Sequence, residues 1–132
     1  MNILVTGAAG FIGFHLCRRF LSMGFHVTGL DNLNPYYSVA LKKERIALLS
    51  ADAKFRFVKE DMADRAAMDR LFDAGGFNYV VNLAAQAGVR HSLKCPEDYI
   101  NANIIGYFNI LENCRQHQVD HFVFASSSSV YG

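Results

Sequence analysis

The chain has 132 residues, 52% of them hydrophobic, and a formal net charge of +1 from thirteen basic and twelve acidic side chains. That length is one domain with room for a core, and the composition excludes an extended disordered segment. The charge balance excludes an electrostatic footprint for nucleic acid or an anionic membrane, and no apolar run approaches a membrane span.

In chain order, NILVT (Asn2 to Thr6) is a short apolar run that ends at a glycine, the pattern of a strand buried on both faces. From Phe11 to Met23 the apolar residues Ile12, Leu16, Phe20 and Met23 recur at helical spacing, and Gly24 stops the helix. HVTGLD (His26 to Asp31) is a second strand, followed by the turn-like NLNPYY. Ser38 to Leu49 has helical spacing with a charged Lys42-Lys43-Glu44-Arg45 face. FRFV (Phe55 to Val58) is a third strand, Ala63 to Phe72 a short helix closed by Gly75 and Gly76, and YVVNLAA (Tyr79 to Ala85) a fourth strand. Pro96, with Glu97 and Asp98 beside it, opens the longest helix, whose apolar stripe is Ile100, Ile104, Phe108 and Leu111. HFVFASS, from His121, is the fifth strand. Strands alternating with helices predict one α/β domain over residues 1–132, a doubly wound parallel sheet covered on both faces and ending after its fifth strand.

The cysteines Cys17, Cys95 and Cys114 are an odd number without paired spacing, as expected of reduced thiols in a cytoplasmic protein; no secretory leader is expected. Cys114, His117 and His121 would share a helical face if the helix ran that far. A strand follows at once and no fourth ligand is near, so no metal site is expected.

The chemistry is most legible in TGAAGFIG, Thr6 to Gly13, where Gly7, Gly10 and Gly13 fall three apart between a strand and a helix. Gly7 permits the tight turn, Gly10 lets backbone approach a phosphate, and Gly13 lets helix pack on strand. The amides at the helix start then face a pyrophosphate. Asp31, at the end of the second strand, suits the two hydroxyls of an adenosine ribose and would repel a 2′-phosphate, and no arginine directly follows it. NAD rather than NADP is the expected cofactor.

TGAAGFIG, DNLN, NLAAQAGVRHS and SSSSVYG, in this order, resemble the extended short-chain dehydrogenase/reductases, and the resemblance runs the length of the chain. DNLNPYYSVALKKERI and the stretch from Leu83 to Gly132 are more narrowly similar to nucleotide-sugar 4-epimerases acting on UDP-glucuronate. The resemblance implies a Rossmann-type NAD-binding domain. It implies a pyrophosphate turn at Gly7, Gly10, Phe11, Ile12 and Gly13. An adenosine-ribose segment follows at Asp31, Asn32 and Asn34, and an adenine pocket at Asp61 and Met62. Leu83, Ala84, Ala85 and Gln86 pass under the nicotinamide half. Ser127 aligns with the catalytic serine, Ser128 and Ser129 contact the sugar or hold the loop, and Arg90 is a candidate for the sugar or its carboxylate. Where many relatives carry a polar side chain near the nicotinamide, Ala102 offers only its backbone.

Tyr131 belongs to the serine motif and no lysine follows it, so the general-base tyrosine and its lysine partner are expected beyond Gly132, as is the substrate domain. The chain is therefore expected to hold the NAD-binding part of an epimerase without turnover of its own. A UDP-sugar is its substrate in the longer protein, and the exposed fifth strand favours self-association. A decarboxylase or dehydratase of the same family, and a non-catalytic NAD-binding module, are the alternatives.

Overall fold

The computed structural model describes residues 1–132. Five strands, β1 (Asn2–Thr6), β2 (His26–Leu30), β3 (Phe55–Val58), β4 (Tyr79–Asn82) and β5 (His121–Phe124), form one sheet in the order β3-β2-β1-β4-β5. Every pairing is parallel; Ile3 stands opposite Val27 on one side and Tyr79 on the other. The chain winds outward to β3, then returns across β1 to β4. Its reversal therefore lies at the carboxyl ends of β1 and β4, where open α/β sheets bind ligands.

Alternation along β1 supplies both layers of the core. Ile3 and Val5 face α1 (Phe11–Ser22) and α2 (Val39–Ser50), packing with Phe14, Cys17, Val27 and Leu49. Leu4 faces the other way, toward α3 (Arg65–Gly75) and α5 (Tyr107–Gln116), with Leu30, Met68, Phe72, Val80 and Ile110. Each such side chain removed from water contributes about 1.5–3 kcal/mol. The helix starts follow their caps: Ser38 Oγ accepts from Leu41 N, and Asp64 Oδ1 accepts from Ala67 N. The second cap places α3 two residues later than apolar spacing alone suggests. Gly76, at φ 54°, ends α3 in the left-handed conformation.

Two expectations are corrected. The long helix from Pro96 is present and unbroken but not α-helical throughout: α4 (Pro96–Tyr99) passes directly into a π-helical stretch, Ile100–Gly106, and that into α5. The predicted stripe Ile100, Ile104, Phe108 and Leu111 faces solvent, while Gly106, Asn109, Ile110, Asn113 and Cys114 face the core. Two of those inward positions are amides. Asn109 Nδ2 donates to Met62 O, and Asn113 Nδ2 donates to Asp69 Oδ1 and Asn109 O. As expected of the fifth strand, β5 is an edge strand, exposed along most of its length. Phe122 and Phe124 stack on each other there, with Tyr107 against them edge-on. No helix is long and apolar enough to cross a membrane.

Candidate functional site

The turn after β1 is built around backbone contacts that only glycine tolerates. Gly7 sits at φ 70°, and a Cβ on it would lie 2.9 Å from Ala84 N. A Cβ on Gly13 would lie 2.1 Å from Gly7 O, so the first turn of α1 rests directly on the loop. Gly10 is different: its nearest obstacle is Gly7 O at 3.1 Å, and open space otherwise surrounds the added methyl. Gly10 is also the N-cap of α1, where it offers no capping side chain, and the first turn carries no acidic residue. The first turn of the helix thus supplies neither a cap nor a counter-charge of its own. Such a terminus has the chemistry of a phosphate cradle, and the residues present fit the pyrophosphate of a dinucleotide. Phe11 and Ile12 project from it, 68% and 66% exposed.

At the end of β2, Asp31 is buried. Its Oδ2 accepts from Ala9 N at 3.1 Å and its Oδ1 from Leu33 N at 2.8 Å. Lys42 Nζ, itself buried, stands 3.8 Å from Oδ1 and donates to Asn34 O at 2.9 Å. Arg45 Nη1 donates to Ala9 O at 3.1 Å, and its guanidinium lies over the Phe11 ring. These two cations close the side of the site that the sequence had left to Asp31 alone. They sit in the stretch read as a charged helical face, and the one available signal was their spacing of three, which puts both on the same side of α2.

Asn32 and Asn34 fold the following loop back on itself. Asn32 Oδ1 accepts from Asn34 N, and Asn34 Oδ1 accepts from Tyr36 N. Asn32 Nδ2 also donates to Asp61 Oδ2 at 3.1 Å, which brings the segments after β2 and β3 together. Met62 is not at the surface of this group; it is buried in the core, and a Cβ on Gly106 would meet its Cβ at 2.9 Å.

The end of β4 is fixed by one hydroxyl. Thr6 Oγ1 donates to Asn82 Oδ1 at 2.7 Å and accepts from Leu83 N at 3.1 Å and Ala84 N at 3.0 Å. All of its hydrogen-bonding capacity goes to holding β4's exit beside the glycine turn. Gln86 is buried, while Ala85 is exposed. The Asn103 side chain accepts from Gln86 N and donates to Gln86 O, so the π-helical stretch clamps that backbone. Ala102, its neighbour, is partly buried.

The remaining candidates lie further along the same edge of the sheet. Ala125 N donates to Asn82 O, aligning the start of the serine run with the end of β4. Ser127 Oγ accepts from Ser129 N at 3.1 Å and caps a single 3-10 turn, Ser128–Tyr131; Ser127, Ser128 and Ser129 are exposed. Arg90 is exposed and makes no ion pair. Cys114, His117 and His121 do not converge: Cys114 is in the core, His117 Nε2 lies 3.1 Å from Asp73 Oδ1, and His121 begins β5. The structure thus brings together the glycine turn, Asp31 with its two cations, and residues 83–86.

Residues 3–132 match the family described as "NAD dependent epimerase/dehydratase family". An uncharacterized 37.6 kDa protein of Escherichia coli O111:H- is 51% identical over 132 residues, covering 100% of this chain and 39% of that protein. UDP-glucuronate 4-epimerase 3 of Arabidopsis thaliana is 46% identical over 132 residues, covering 99% of this chain and 30% of its own length. Among solved structures, UDP-glucuronic acid 4-epimerase from Bacillus cereus, in complex with UDP-glucuronic acid and NAD, superposes with a TM-score of 0.89 at 39% identity. It is covered over 42% of its chain, and this chain over 100%. The chain thus spans about two fifths or less of the proteins it matches.

Proposed function

The chain belongs to the NAD dependent epimerase/dehydratase family, and from that premise we propose that it is the NAD-binding portion of a nucleotide-sugar 4-epimerase interconverting UDP-glucuronate and UDP-galacturonate. The observation that carries this reading is the uncapped, acid-free start of α1 with Asp31 hydrogen-bonded to Ala9 N beside it. In this reading the amides at the start of α1 bind the pyrophosphate, and Gly10 leaves room for it. Asp31 binds the adenosine ribose, with Asn32 and Asn34 shaping the loop around it; Asp61 forms the adenine side, and Met62, buried in the core, backs it from behind. Leu83 to Gln86 carry the nicotinamide half. NAD, when bound, supplies reversible oxidation at the sugar's C4.

Ser127 is the catalytic residue of this portion. Its Oγ is engaged as an acceptor by Ser129 N, which leaves its proton free to donate to the sugar's 4-oxygen and ease proton transfer there. Ser128 and Ser129 contact the sugar, and Arg90 pairs with its carboxylate, a planar group that a guanidinium binds through two hydrogen bonds. Within the chain none of the six tyrosines has a lysine four residues after it. In this reading the general base comes from the part of the family's proteins that this chain does not cover.

The test is a chimera of this chain with the remaining length of the Arabidopsis relative, assayed by NMR with UDP-glucuronate. UDP-galacturonate should form, and Ser127→Ala should lower kcat by about 10²- to 10⁴-fold, the scale of a lost proton-transfer group. Release of carbon dioxide with a pentose product would instead make it a decarboxylase of the same family, and an unchanged kcat in Ser127→Ala would remove that residue from the chemistry.

A further inference from the structure

Outside the dinucleotide site, three side chains of different donor type meet on the segment between β4 and α5. His91 opens a 3-10 turn (His91–Leu93), Cys95 is the N-cap of α4, and Asp98 lies inside α4. Their ligand atoms, an imidazole nitrogen, a thiol sulfur and a carboxylate oxygen, all lie within 4.8 Å of one another, and all three residues are half-buried. We propose that His91, Cys95 and Asp98 form a binding site for a borderline-soft divalent cation of the zinc class.

Three arguments carry this. The first is the scaffold. The 3-10 turn ends before Cys95, whose non-helical backbone turns the chain into α4, and this junction brings the three side chains together; the backbone is pinned there, since Lys94 N and Cys95 N both donate to His91 O, and Asp98 N donates to Cys95 O. Pro96 at the first position of α4 stiffens the junction. The Tyr36 ring packs against His91 with centroids 5.0 Å apart, and the ring of Tyr99, whose hydroxyl donates to Ala87 O, lies 6.1 Å from it.

The second is distance. Tetrahedral bonds of about 2.0–2.3 Å place neighbouring ligand atoms about 3.3–3.7 Å apart. His91 Nε2 and Asp98 Oδ2 are 2.9 Å apart, so they need only part slightly to admit an ion between them. The thiol needs a shift of about 1 Å or a little more, within the reach of a side-chain rotation, to complete a three-ligand site with water in the fourth position. The third is chemistry. A thiolate and an imidazole select zinc-like ions over magnesium and calcium, whose ligands are oxygen. Binding would displace the thiol proton and tie the 3-10 turn to α4, fixing the backbone next to Arg90.

The experiment titrates Co²⁺ into the chelator-treated chain, followed by competition with Zn²⁺. The expected result is one ion per chain, with a thiolate-to-cobalt charge-transfer band and the strong visible absorption of a tetrahedral site, both erased by Zn²⁺. Cys95→Ser should abolish the charge-transfer band. His91→Ala and Asp98→Asn should each weaken binding by about 10- to 100-fold or more, since even outer-sphere partners are worth that much. Circular dichroism of each variant in its metal-free form checks that the fold is kept. A weak octahedral spectrum without the thiolate band would overturn the proposal, as would a band that survives in Cys95→Ser and so arises from Cys17 or Cys114.

Discussion

Asp31 Oδ2 accepts a hydrogen bond from the backbone amide of Ala9 at 3.1 Å. This one contact joins the end of β2 to the glycine turn after β1, so the two halves of the proposed dinucleotide site cannot move independently. The carboxylate is buried and needs a counter-charge, because an uncompensated buried ion is costly. Lys42 supplies it from α2.

Lys42→Ala should therefore destabilise the chain by about 1.5–3 kcal/mol, the value of a hydrogen-bonded charged partner. Part of the loss is the Lys42 bond to Asn34 O, 2.9 Å long. Urea unfolding compared with Lys43→Ala, an exposed neighbour, separates this pairing from the general loss of a helix surface charge, which should be worth a few tenths of a kcal/mol (about 0.2–0.5).

Gly13→Ala and Gly10→Ala should part company. The first forces a methyl to 2.1 Å from Gly7 O, backbone that cannot turn aside, and should cost about 3 kcal/mol or more. The second meets its nearest atom at 3.1 Å, so the fold should persist with little change in melting temperature. Its methyl would occupy the space of the pyrophosphate, and NAD affinity should drop about 10-fold or more. Thermal melts and NAD titration of the two variants read both effects.

The thiols should differ in their reactivity toward a reagent from solvent. Burial pushes Cys17 and Cys114 up to about 12 from an ordinary 9.0, whereas Cys95 is only half-buried. In the native chain a thiol reagent at pH 8 should label one cysteine fast, and Cys95→Ser should remove that phase. The raised folded-state values also carry a sign. Their stabilising contribution is complete below 9.0 and is lost as pH rises toward 12. Urea midpoints measured across that interval should fall, and Cys17→Ala should flatten the decline.

The edge strand β5 leaves Val123 44% and Phe124 48% exposed, with its outer backbone groups unpaired. Edges of this kind pair with other chains. Light scattering should show association that grows with concentration, and Phe124→Lys should shift the chain toward monomer. A wild-type chain that stays monomeric at high concentration would refute this.

Much of this fold could be read in the sequence because its strands are buried and short. NILVT and YVVN stand in β1 and β4, two of the three interior strands, where apolar, β-branched runs have few other places to go. The glycine turn was equally legible, since Gly7 and Gly13 each face backbone that admits no side chain. The π-helical stretch was not. A single extra residue per turn leaves the apolar spacing of Ile100, Ile104 and Phe108 looking regular, while Asn103, Asn109 and Asn113 take the inward bonds to Gln86, Met62 and Asp69. Lys42 was hidden for a related reason. A lysine in LKKERI looks solvated until the tertiary fold sets a buried carboxylate beside it.

The central claim is that the glycine turn and Asp31 form a working NAD site, and calorimetric titration of the chain with NAD and with NADP tests it most directly, with Asp31→Ala in parallel. NAD should bind at one site per chain, NADP should bind at least about 10-fold more weakly, and Asp31→Ala should weaken NAD by about 10- to 100-fold, the value of hydrogen bonds to a charged acceptor. Equal affinity for the two cofactors, or an Asp31→Ala variant that binds NAD as the parent does, would contradict it.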